Sequence, residues 1–301
     1  MFKIGVMVES FRKGLDGGLK AAAGVGADGV QIYATSGETH FEKLRGANLV
    51  GLRKKLKDYG LEVSALCGDF GGHGFQVAEH NQKRIEDTKR VIEAALELGT
   101  TVVTTHIGVV PGEKSNPRYR VMADACEKIG AFAENNGAVV AIETGPEKAL
   151  ILKGFIDDIG LVKGLGVNFD PANLVMVCRE NIPLAVKTLA RNIVHTHAKD
   201  GVNLKPVDAE KLYRSFSEGG IEGFHATEYI KEVPLGEGDV DFDSYIKALS
   251  ETGYSGYLTI EREVGENPMD DIRKAVDFLS SRVHKYGDAG GSNGRGGVLP
   301  V

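Results

Sequence analysis

A single-domain (β/α)8 barrel, an α/β TIM-barrel fold, is what this 301-residue sequence predicts. Short runs rich in Val, Ile and Thr alternate eight times with segments whose apolar residues recur every three or four positions, the pattern of a strand followed by an amphipathic helix. Several strands follow a glycine that closes the helix before them, as in KDYGLEVSA, LELGTTVVT and ENNGAVVAI. A residue without a side chain accepts the left-handed backbone that ends a helix. The length would allow two domains, but one barrel of roughly 250 residues accounts for it.

Taken in order, the predicted strands are 3–8, 29–34, 62–68, 101–107, 138–144, 165–170, 193–199 and 256–262. The predicted helices are 16–25, 42–59, 80–98, 118–136, 153–163, 181–191, 241–252 and 269–284. Three connections that leave strand ends are long: 68–79, 107–117 and above all 201–240. Long loops at the upper rim of a barrel usually carry substrate contacts or lids. The segment 201–235 holds Leu212, Tyr213, Phe216, Phe224 and Tyr229, more aromatic surface than a solvated linker needs, and it is expected to cover the mouth. The barrel is assigned to 1–286, and 287–301, rich in glycine and without periodicity, reads as a disordered or added tail.

Composition narrows the function classes. A hydrophobic fraction of 42% with 26% charged residues suits a globular chain with a large core. The formal net charge of −6 argues against nucleic acid as a partner, since phosphate-backbone binding draws on clustered Lys and Arg. Cys67, Cys126 and Cys178 are odd in number and form no CxxC pair, which fits a reducing, cytoplasmic setting. No stretch approaches the ~20 apolar residues of a membrane span, and the N-terminal apolar run is too short for a signal segment. Self-association of the chain is left open.

Four side chains stand at the ends of predicted strands five to eight: Glu143 in AVVAIETG, Asp170 in LGVNFDP, His197 in IVHTHAKD and Glu261 in GYLTIERE. The ends of parallel strands converge on one mouth of a barrel, so these four would meet. Three carboxylates and one imidazole suit a divalent ion, Mn²⁺ foremost, with Mg²⁺, Co²⁺ and Zn²⁺ as alternatives. Singly, each has a plainer reading: a salt bridge for Glu143, a turn or helix cap for Asp170. His106, Asn173 and Lys199 are candidate substrate contacts. His195 shares the face of His197 by strand alternation but lies lower, and a buried structural role is expected for it. Arg262 and Glu263 are expected to point toward the helices, and Glu143 to have little charge nearby. The glycines of PLGEGDVDF (234–242) offer a weak signal for a phosphate.

At these residues the sequence resembles the sugar phosphate isomerase/epimerase superfamily, the xylose isomerase-like barrels that also include endonuclease IV. The matching motifs are Glu143, the FDPAN around Asp170, the HAKD of 197–200, PLGEGDVDF and TIERE. The resemblance implies one divalent metal held by Glu143, Asp170, His197 and Glu261. It also implies proton abstraction beside the carbonyl of a keto-sugar through a metal-stabilised enediolate, with Glu143 and Glu261 as base and acid. The same apparatus can expel a group β to the carbonyl, as in dehydration of an inosose or cleavage of a 3-keto-glycoside. A reading of another class is a sugar-binding or partner subunit without catalysis. ETGPEKAL lacks the arginine of free-ketose 3-epimerases, and Asn173 stands where they carry histidine, which disfavours a tagatose- or psicose-type enzyme. The three-metal ligand set of endonuclease IV is incomplete.

Overall fold

The computed structural model describes residues 2–160 and 163–287. Eight parallel strands close into a barrel: β1 (Lys3–Met7), β2 (Gly29–Tyr33), β3 (Glu62–Cys67), β4 (Val102–Thr105), β5 (Val139–Glu143), β6 (Leu165–Phe169), β7 (Ile193–Ala198) and β10 (Tyr257–Ile260). Each pairs with its neighbour in sequence order, and β10 closes the ring between β7 and β1. All eight predicted strands are present. His106 falls just past the end of β4, at the start of the loop that follows it.

Around the barrel run α1 (Gly14–Gly24), α2 (Gly46–Tyr59), α3 (Ala78–Leu98), α4 (Pro117–Asn135), α5 (Ala149–Ile159), α7 (Ile182–Leu189), α9 (Phe242–Glu251) and α10 (Pro268–Gly287). Gly60 and Gly99 close α2 and α3 at φ 68° and 87°, as their sequence positions predict. The fifth helix departs from expectation: it runs 149–159 rather than 153–163, because Gly160 at φ 82° ends it. The second begins at Gly46, not at residue 42. Between strands and helices lies the apolar core, in which Val6, Val30, Leu66, Val103, Val140, Val167 and Leu258 are fully buried. Each such side chain contributes about 1.5–3 kcal/mol by leaving water.

The barrel interior is polar by contrast. Gln31 donates through Nε2 to Thr104 Oγ1 at 2.9 Å, and His195 bonds Asn168 Oδ1 through Nδ1 at 2.8 Å and Thr259 Oγ1 through Nε2 at 3.1 Å. Buried polar groups are tolerable only when paired, and these are. A register shift between Val167 and Asn168 brings Asn168 opposite His195, which makes that pairing reachable.

Two regions carry structure that the sequence pattern did not reveal. After β6 the chain forms a short turn, α6 (Pro171–Asn173), continued by one π-helical turn over Leu174–Cys178. The 201–240 connection is not a plain loop: it holds α8 (Ala209–Ser217) and, with Asp200, a two-stranded antiparallel sheet, β8 (Asp200–Asn203) and β9 (Ile230–Val233). Alternation in KEV and DGV is too short to read. Apart from Gly287, which ends α10, the tail assigned to 287–301 lies outside the described residues. Among the described residues no helix is long and apolar enough to cross a membrane.

Candidate metal and catalytic site

Strand alternation turns Glu143, His197 and Glu261 inward at the C-terminal end of the barrel, and Asp170 joins them from the residue after β6. One donor atom from each of the four lies within 4.8 Å of the others, and all four side chains are buried. Nδ1 of His197 is 3.3 Å from Asp170 Oδ2, 3.3 Å from Glu261 Oε2 and 3.8 Å from Glu143 Oε1. Its other nitrogen, Nε2, lies between Gln31 Oε1 at 3.0 Å and Asn168 Nδ2 at 3.2 Å, and of the two only the Gln31 oxygen can accept a proton from it. With a cation bound, a proton donated from Nε2 to Gln31 would leave the Nδ1 lone pair for that cation, the tautomer that a metal-binding imidazole needs. Three carboxylates and one imidazole gathered out of water fit a hard divalent cation and would repel one another without positive charge. The plainer reading of Asp170 is also realised, because its Oδ1 accepts the Asn173 N–H at 2.9 Å and caps α6. One carboxylate serves both ends.

The two glutamates differ in surroundings. Glu143 accepts from Asn173 Nδ2 at 3.0 Å and Asn168 Nδ2 at 3.1 Å, and His106 Nε2 stands 3.4 Å away. The expectation of little charge near Glu143 is therefore corrected: two histidines face it. Burial nevertheless lifts its carboxyl above the ordinary range. Glu261 is equally buried, yet the Lys199 ammonium at 2.9 Å and His197 outweigh burial and hold it below that range. For His197 burial works against the charged form, but Glu261 and Glu143 overcome it and raise the imidazole well above its usual value. His195, one layer down, is pushed the other way by burial and by His197, so it stays neutral.

Lys199 also pairs with Glu263, whose carboxylate lines the cleft. Glu263 thus does not point toward the helices as expected; it lies two residues beyond Glu261 and keeps the same side. Arg262 does turn outward, to Asp271 at 2.9 Å and Glu232 at 2.5 Å. The glycines of 234–242 are spoken for. The N–H groups of Gly236, Gly238 and Val240 converge on the Asp200 carboxylate at 2.9, 3.0 and 3.2 Å, so a side chain occupies the position expected for a phosphate. This couples HAKD to PLGEGDVDF.

Above the four residues opens a cleft of about 850 Å³. Its walls include the glycine-rich 71–74 segment and α8, whose Tyr213 ring lies 6.3 Å from that of His106. His106 is held by Asp69, Nδ1 to Oδ2 at 3.2 Å; burial opposes its charged form, but Glu143 and Asp69 raise it to about 10. Asp69, Gln31 and Asn168 were not singled out from the sequence, Glu263 was expected to point away, and Tyr213 was named only as one of the aromatics of the covering segment, whose place in the cleft wall the structure gives. Alternation marks Asp69, Gln31, Asn168 and Glu263, each two residues from a residue already inward-facing or alone as a polar side chain in an apolar strand; for Tyr213 the signal was the aromatic content of its segment, which did not specify its approach to His106.

Comparison with known proteins agrees with this architecture. The chain is 26% identical over 177 residues to an inosose dehydratase of Clostridium perfringens, covering 55% of each chain. It is 42% identical over 59 residues to an L-ribulose-5-phosphate 3-epimerase of Salmonella typhi, 19% of this chain and 21% of that one. The chain therefore spans about half the length, or less, of these curated relatives. A crystal structure of a xylose isomerase domain protein from Planctomyces limnophilus superposes with a TM-score of 0.77 at 28% identity, over 95% of this chain and 98% of that one. Residues 19–282 match the family described as xylose isomerase-like TIM barrel, and with the barrel and its strand-end residues in view, the chain belongs to that family.

Proposed function

We propose that the chain is a divalent-metal-dependent isomerase or epimerase of a keto-sugar or sugar derivative. The observation that carries this reading is geometric: one donor atom from each of the buried Glu143, Asp170, His197 and Glu261 lies within 4.8 Å of the others at the barrel mouth. Glu143 would share the cation with Asp170, His197 and Glu261. When bound, the cation supplies Lewis acidity for two neighbouring oxygens of the substrate. Glu143, its proton affinity raised by burial, is suited to take a proton from the carbon beside the carbonyl and to give it back. Glu261, kept ionised by Lys199, is suited to act from the other side. Asn173 and His106 reach Glu143 from the cleft wall and can orient a substrate hydroxyl. Return of the proton on the opposite face gives an epimer, and return to the adjacent carbon gives an isomer.

A second reading, elimination of water or another group β to the carbonyl, is favoured by one feature. His106, backed by Asp69 at 3.2 Å, lines the cleft, and Glu143 and Asp69 favour its charged form against burial, so that it could donate to a leaving oxygen. The test is metal-loaded protein in D₂O with a panel of keto-sugars, followed by proton NMR and mass spectrometry. An epimerase or isomerase exchanges the α-proton and returns sugar of unchanged formula; an eliminating enzyme yields a product lighter by the leaving group. Binding without exchange across the panel, with Glu143→Gln and the parent indistinguishable, would leave only the sugar-binding reading.

A further inference from the structure

The cleft is electrically divided. Its floor holds Asp69, Glu143, Glu261 and Glu263, answered by His106 and Lys199. The side walled by α8 holds Arg118, Lys211 and Arg214 together with Asp208 and Glu210. Helix geometry offers Arg214 an (i, i−4) partner in Glu210. That carboxylate is turned instead to Arg118, 3.0 Å from Nη1, and the same nitrogen also donates to Gln76 Oε1 at 2.8 Å. Asp208 is engaged in capping α8, accepting the Lys211 N–H at 2.7 Å. Among the described residues neither Lys211 Nζ nor the Arg214 guanidinium has a carboxylate within 4.0 Å. The two cations stand one turn apart on the same helix, a like-charge spacing that is mildly unfavourable by itself and that an anion between them would relieve.

Of the other cations lining the cleft, Lys199 is neutralised by Glu261 and Glu263 and Arg118 by Glu210; outside the cleft lining, the N–H groups of 236–240 already hold Asp200. The rings of Tyr213 and Phe216 also line the cleft, packed edge to face at 6.0 Å, an apolar wall of the kind that borders the carbon skeleton of a ligand. We infer that the α8 side of the cleft seats an anionic group carried on the end of the substrate remote from Glu143 and Glu261, a phosphate monoester or a carboxylate gripped by Arg214 and Lys211. The inference rests on the function proposed above only for the identity of the molecule that carries the anion.

The test begins with orthophosphate titrated by calorimetry into the full-length chain stripped of metal. Saturable binding is expected, weakened about tenfold or more in Lys211→Met/Arg214→Met, the scale of a lost hydrogen bond to a charged group. It is expected to be retained in part by Arg214→Lys and unchanged in His197→Ala. Fructose 6-phosphate, 2-ketogluconate and fructose, added to the metal-replete chain, then separate the two sources of charge: the tighter of the two anions names it, and neutral fructose is expected to be the weakest. Absence of saturation by orthophosphate, or equal affinity in parent and double variant, overturns the inference. Orthophosphate binding that behaves as expected while no keto-sugar exchanges its α-proton leaves the anion seat standing and sinks the proposed function. Turnover of a neutral ketose without orthophosphate binding does the reverse.

Discussion

Asp200→Asn is the substitution whose cost can be worked most directly from the structure. The Asp200 side chain is buried and accepts four peptide N–H bonds: Gly201 and Val240 on Oδ1 at 2.8 and 3.2 Å, Gly236 and Gly238 on Oδ2 at 2.9 and 3.0 Å. An amide keeps one oxygen. Whichever way it turns, its NH₂ faces two N–H donors, so two bonds are lost and two buried donors are left without acceptors. At roughly 1–3 kcal/mol for each orphaned group, and with relaxation toward the low end, the loss is about 2–4 kcal/mol. For a chain of this size that corresponds to a fall in Tm of roughly 3–7 °C. Urea unfolding followed by far-UV circular dichroism measures it. Gly238→Ala should act on the same contact, since a Cβ there would come within 2.2 Å of Asp200 Oδ1, and the double variant should cost less than the sum of the singles. An Asp200→Asn midpoint within ~0.5 kcal/mol of the parent would refute the reasoning, because it would mean that those four N–H groups do not depend on the carboxylate.

Three further outcomes are expected. His197→Ala should abolish tight binding of Mn²⁺ in equilibrium dialysis, whereas His195→Ala should mainly lower the urea midpoint; equal metal loss from both would overturn the layer assignment. Gln31→Leu removes the acceptor of His197 Nε2 and should weaken Mn²⁺ binding about 10–100-fold with the fold intact, and an unchanged affinity would show that the partner does not orient the ring. Burial raises the Glu147 carboxyl from 4.5 to about 8, so the folded chain holds its proton more tightly than the unfolded one; this group's contribution is fully present below about pH 4.5 and falls away as pH rises to about 8. Relative to Glu147→Gln, the parent should lose stability across that window by up to roughly 1.4 kcal/mol per pH unit, and parallel stability-versus-pH curves would contradict the assignment.

Much of the site was legible in the sequence because a barrel converts linear position into convergence. A charge at the end of an apolar strand must lie at the mouth, and a period of two sends Glu143, His197 and Glu261 to the same side. The same rule, followed further, would have kept Glu263 in the cleft and picked out Asn168 and Asp69. What misled was sending Arg262 and Glu263 together toward the helices: alternation turns Arg262 outward, but Glu263, two residues from Glu261, returns to the cleft and meets Lys199. Helix ends at glycine were readable for the equivalent reason, a backbone conformation that one residue type accepts without strain.

By itself, then, the sequence determined the barrel, the order of its strands and which side chains rise at its mouth, all of which follow from local periodicity and from the fixed alternation of a strand. Only the tertiary structure decided who pairs with whom. Asp200 meeting the N–H groups of 236–240, Glu210 drawn to Arg118 rather than Arg214, and Tyr213 brought over His106 join residues separated by 36–92 positions or carried on an insertion with its own small sheet. Such contacts are set by how the elements pack and by which charges are free once packed, and no short-range pattern encodes them.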